Sequence, residues 1–224
     1  MHIRNDFDNS LVRKAQNEFE IAESRLDSAL KSTGEERGTS HSTRFVDAQR
    51  SIERSTKAIF ELMNVQYPPD HAINPKSQSG LNLLNAISAE VDSIEYFEQK
   101  RGHITQEELK RMHTGEVGRL MFLCYMYGNV YSLVSYGINE ERFSLSPDDF
   151  VSYSDHECAI ESALAGLRIS DVIIDSIATG ELPYTDPPTG TGPLEKRSKI
   201  RGDFYGVRLP ETDYDPVPEY RREL

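Results

Sequence analysis

Apolar residues in this chain recur at steps of three and four in one segment after another, and alternate over no stretch of any length. Leu11, Ala15, Phe19, Ala22, Leu26 and Leu30 lie on one face of a helix of about six turns. Asn9 and Ser10 are suitable caps for its start and Gly34 for its end. The next segment carries Phe45, Ala48, Ile52, Ile59 and Met63 on one stripe, with Asp47, Arg50, Arg54, Lys57 and Glu61 opposite. Pro68 and Pro69 are expected to end it. A third helix is expected over 81–100, with Leu84, Ile87, Val91 and Ile94 inward and Gly102 as its stop.

Thr105 and Glu108 match a capping box, opening a segment that runs through Leu109, Val117, Leu120, Leu123 and Tyr127 toward Gly137. Gly115 and Gly118 are places where that segment could bend. After a long connection over 138–155, Ser154 and Glu157 suggest a second capping box. The last helix then buries Ile160, Ala163, Leu167, Ile174 and Ile177 and stops at Gly180. The expected fold class is all-α: an antiparallel bundle of four to five helices spanning 1–180. Residues 181–224 hold seven of the eleven prolines without apolar periodicity, and read as an irregular Pro-rich tail.

Charge and cysteines narrow the function classes. The net charge is −12, and 1–180 alone holds 28 acidic against 18 basic residues. Such a field repels phosphate outside a local patch, which argues against a nucleic-acid coat protein. Lys196, Arg197, Lys199 and Arg201 form a basic run in the tail, readable as a solvated linker or as an RNA or anion contact. Cys124 and Cys158 lack neighbours at metal-ligand spacing, and each falls on an expected apolar helix face. No metal and no cofactor is expected. The acidic pairs Asp148–Asp149 and Glu140–Glu141 read as loop charge. The first ten residues are charged and lack a signal-peptide pattern, and no apolar stretch is long enough for a membrane span, so the expected location is cytoplasmic.

The segment 120–134 is apolar on two sides. Leu120, Leu123, Tyr127, Tyr131 and Val134 fill one, while Phe122, Tyr125, Met126, Leu133 and Tyr136 populate another. A helix apolar all round must be covered all round, so Phe122, Tyr125, Met126 and Leu133 are the expected dimer interface. The tail or a central place in the bundle would be alternative covers.

The helix carrying Ser55-Thr56-Lys57-Ala58-Ile59-Phe60, followed by a Pro-containing loop into Asp70-His71-Ala72-Ile73, resembles the HEPN superfamily. So does the run Tyr127 to Gly137 with its following Asn139-Glu140-Glu141 turn, and the resemblance spans 9–180. It implies a helical bundle, typically dimeric. Relatives include metal-independent RNases of toxin–antitoxin and defence systems, nucleotide-binding modules, and non-catalytic partners of small nucleotidyltransferases.

Catalytic relatives carry an arginine, four to six residues, then a histidine: guanidinium holds phosphate and imidazole moves the proton. Here no arginine precedes any histidine by five to seven positions. What remains is Arg119 as a phosphate holder, Tyr125 or Tyr127 as a nearby hydroxyl, and His113 in reversed order. His71 reads as a turn residue and His156 as part of a cap. The resulting expectation is an interaction or nucleic-acid-associated component lacking the usual RNase pair. The alternatives are a diverged ribonuclease acting at a dimer interface, and a plain helical scaffold. A homodimer, a nucleotidyltransferase-type partner and RNA are the candidate partners.

Overall fold

The structure, a computed structural model, describes residues 3–31, 40–95 and 104–181. It is all-α apart from one short hairpin. In chain order come α1 (Asn9–Lys31), α2 (His41–Leu62), α3 (Gln78–Ser93), α4 (Gln106–Gly128) and α5 (Tyr131–Tyr136). A two-stranded hairpin follows, β1 (Ile138–Glu140) and β2 (Phe143–Leu145), then a 3-10 turn (Pro147–Asp149) and α6 (Tyr153–Thr179). Among the described residues no helix is long and apolar enough to cross a membrane. The expected stop at Gly34, the close at Gly102 and the tail 182–224 lie outside them.

The core is built on α2, which packs most extensively against α1 and α6. Ile52, Ala58, Ile59, Phe60 and Leu62 are all fully buried, so its apolar surface exceeds the single stripe that its charges suggest. Two of its buried hydroxyls reach carbonyls: Ser51 Oγ donates to Ala22 O at 2.8 Å, and Thr56 Oγ1 to Ile52 O at 2.8 Å. On α1 the buried line begins at Val12 rather than Leu11 and continues through Ala15, Phe19, Ala22 and Leu26. Its start is capped by Asp8, whose carboxylate accepts from Ser10 N at 2.8 Å, and not by Asn9 or Ser10.

Several expected boundaries move. α2 ends at Leu62, six residues before Pro68, where Asn64 turns left-handed at φ 51. Asparagine tolerates that conformation, so the prolines lie in the loop beyond the stop. α3 starts at Gln78, capped by Ser77, and ends at Ser93. Leu83, not Leu84, joins Ile87 and Val91 inside. The Thr105–Glu108 capping box is present, and α4 passes Gly115 and Gly118 without a break. The second box is Ser152 with Asp155, two residues earlier than Ser154 with Glu157. Gly137 and Gly180 both close helices with positive φ, 67° and 69°.

The stretch 120–134 is two helices, broken at Asn129 and Val130. A Cβ on Gly128 would stand 2.2 Å from His71 O, so only glycine lets the 63–77 loop press on the end of α4. The hairpin pairs Ile138 with Leu145 and Glu140 with Phe143. Three-residue strands leave too little alternation to register in the sequence.

Candidate functional site

The sequence-derived candidates do not assemble. Arg119 is exposed on α4, whereas His113, two turns earlier, is fully buried on the opposite side. His113 Nε2 meets Ser176 Oγ at 2.6 Å and Nδ1 meets Leu109 O at 2.9 Å, and burial pulls its pKa down. It is a neutral core histidine. Tyr127 is buried as well, with its hydroxyl donating to Cys158 O at 3.2 Å and lying 2.9 Å from Ser162 Oγ. Tyr125 is exposed beside Phe122 and Met126, while Leu133 is half-buried on α5 and so drops out of a continuous face. Cys124 is buried and its thiol pushed up to about 11, which makes it inert at neutral pH. Cys158 is exposed, against the expected core role. Among the described residues no cluster of histidine, cysteine and carboxylate fits a metal ion. Lys196, Arg197, Lys199 and Arg201 lie outside the described residues.

A different constellation forms on the outer face of α2. Arg54 and Lys57 are tied to Glu18 of α1 at 2.8 and 2.7 Å, but Arg50 turns the other way. Its Nη2 donates to Tyr131 Oη at 3.1 Å, and its guanidinium carbon lies 5.9 Å from that ring's centre. The hydrogen bond from Arg50 holds the Tyr131 phenol below its ordinary pKa. One turn along α2, Glu53 Oε2 accepts from His71 Nδ1 at 2.9 Å. The His71 ring lies 4.2 Å from the Tyr131 ring, centre to centre, and Tyr136 meets Tyr131 edge-on at 6.4 Å.

The loop after α2 is what brings His71 here. Val65 N donates to Phe60 O at 2.9 Å, Tyr67 packs edge-on against Phe60, Ile73 is buried, and Cys124 Sγ contacts His71 O at 3.5 Å. Arg50 and Tyr131 also line a cleft of about 450 Å³ with Ser40, Thr43, Asp47 and Tyr136. Burial raises the Asp47 carboxyl's pKa although Arg25 stands 3.4 Å away.

This arrangement can hold an oxyanion at the guanidinium and pass a proton through an imidazole fixed by a carboxylate. Because the carboxylate only accepts, Nδ1 carries the proton, leaving Nε2 as the base or ligand atom. Sequence reading passes over it because Arg50, Glu53, His71 and Tyr131 come from three separate segments. The one local hint is the Asp70-His71 pair behind two prolines.

A third group sits where α2 and α6 begin. Arg44, only 5% exposed, donates through Nε to Ala29 O at 3.0 Å, through Nη2 to Glu157 Oε1 at 3.1 Å, and through Nη1 to His156 Nε2 at 2.5 Å. This is an arginine–histidine contact across 112 residues, invisible to any spacing rule. Its burial makes it part of the frame rather than a substrate site. A scan of protein-family models gives no match for this chain, and comparisons with curated proteins and with solved structures give none either.

Proposed function

We propose that the chain is a HEPN-like helical bundle acting as an interaction component, associated with nucleic acid, of a toxin–antitoxin or defence system. The observation that carries this reading is the exposed apolar strip Phe122, Tyr125 and Met126 on α4, extended by Val130. The opposite side of α4 is core, at Leu120, Met121 and Cys124. Scattered exposed apolar residues are ordinary, but a contiguous strip marks a binding face, and aromatic and methionine side chains suit one. Its occupant is a second copy of the chain, joined through a symmetric face. In this reading the protein works in the cytoplasm, and a nucleotidyltransferase-type protein is a further partner. Light scattering at micromolar concentration tests the face. The wild type should show twice the chain mass and a Phe122→Glu, Met126→Glu double variant a monomer. A wild type that stays monomeric when concentrated would remove this reading's support.

A second reading, a diverged metal-independent ribonuclease, draws on the surface grouping of Arg50, Tyr131, His71 and Glu53. Tyr131 of that grouping follows Val130 directly in sequence. Unstructured RNA and tRNA incubated with the protein in chelator separate the two readings. No cleavage favours the first. Cleavage lost in both Arg50→Ala and His71→Ala, and kept in Arg119→Ala, favours the second.

A further inference from the structure

The Arg44–His156 contact fixes the protonation state of a fully buried histidine. Arginine has no acceptor, so His156 Nε2 must present a lone pair to Nη1. The imidazole proton then sits on Nδ1, which donates to Ser152 O at 3.3 Å. The His41 ring stacks on His156 at 4.7 Å and 10°, and Tyr153 meets both rings edge-on. The charged and titratable groups around His156 are therefore Arg44 and His41 from α2, and Tyr153, Asp155 and Glu157 from α6. Asp148 of the 3-10 turn stands beside His41 and accepts from Ser42 N at 3.0 Å.

We propose that His156 is an acid-sensitive latch holding the start of α6 and the 3-10 turn against the start of α2. Above the latch's titration, neutral His156 accepts from Arg44 and the junction is closed. When Nε2 takes a proton, it becomes a second donor facing Nη1, and two cations share one buried space. The nearest acceptor is Glu157 Oε1, 3.2 Å away, which is the same oxygen that holds Arg44 Nη2. A charged His156 must share that carboxylate with Arg44, and Arg44 Nη1 loses the lone pair it donates to. Desolvation first, and Arg44 second, lower the His156 pKa, so the closed form persists through neutral pH and opens on acidification. Asp148 and Asp155 do not supply the transition. Their hydrogen bonds from Ser42 and Ser152 keep both below the usual carboxylate range, and so charged throughout.

Because Ser40, Ser42 and Asp148 also line the cleft beside Arg50, opening the latch alters that cleft. The test is amide hydrogen exchange of the full chain at about pH 7.5 and about pH 5, corrected for intrinsic rates. The wild type should lose protection at Ser42 and His156 by about tenfold or more, the change that one pH unit of titration gives an equilibrium. His156→Gln keeps an acceptor for Arg44 but cannot titrate, and should hold its protection within about twofold over the same range. His113→Gln, at the other buried histidine, should behave as the wild type at these two amides. Unchanged protection in the wild type, or equal loss in His156→Gln, would overturn the proposal. Should His156→Gln fold poorly, proton NMR of the wild-type imidazoles decides. A His156 titrating at or above the ordinary 6.5 sinks the latch, and one below it supports it.

Discussion

Single atoms decide most at Gly128. A methyl there would collide with the His71 carbonyl, and the obstacle is backbone on both sides, so no rotamer relieves it. Gly128→Ala should destabilise the protein by about 1–3 kcal/mol, the usual range for overpacking. The same change at Gly115 meets nothing within 4 Å in the middle of α4, and should stabilise by about 0.5–1 kcal/mol through helix propensity. Urea unfolding of the two variants measures both signs, and equal effects would contradict the close approach of the loop to α4. A functional corollary is that Gly128→Ala should also move His71 away from Tyr131, because the clash falls on the carbonyl of His71 itself.

At the scale of elements, some caps and stops are legible in the residues and others are not. The Thr105–Glu108 box, Gly137 and Gly180 act where the residues say they should, since a cap is a local hydrogen bond or a local φ. Thr105→Ala should cost about 1 kcal/mol in the same unfolding assay. The residues alone do not choose Ser152 over Ser154, because both have an acid three residues on. The break after Gly128 was hidden for a related reason: apolar periodicity runs straight through Asn129, and the interruption comes from a loop 57 residues earlier in sequence. The candidate site was the least legible. Nothing near Arg50 predicts that its guanidinium reaches Tyr131, 81 positions away, or that His71 folds back 18 positions to Glu53. A three-residue strand such as Phe143–Leu145, exposed along its length, offers no apolar pattern at all.

For the molecule as a whole, two buried histidines set the response to acid. His113 and His156 both have pKa values below the ordinary 6.5, so between their folded values and 6.5 the unfolded chain binds more protons. Stability should therefore be flat above about pH 6.5 and fall as pH drops below it. Urea midpoints collected between about pH 5 and about pH 8 check this, and a midpoint that rises on acidification would contradict it. Replacing His113 should flatten part of that slope and leave the local opening at Ser42 untouched, since Ser176 and Leu109, its partners, lie away from the start of α2.

The packing of α2 against both α1 and α6 has a bearing on how the chain is made. One neighbour precedes it and is available as soon as α2 leaves the ribosome, so an α1–α2 pair can form early from contacts close in sequence. The other neighbour is the last described helix. Until Tyr153–Thr179 has been synthesised, the side of α2 that carries Ile52 and Ser55, next to Gly166, lacks its α6 cover. A nascent chain stalled before that point would present an apolar ridge to chaperones and to other chains, and ribosome-bound intermediates should lose protease sensitivity only once α6 has emerged.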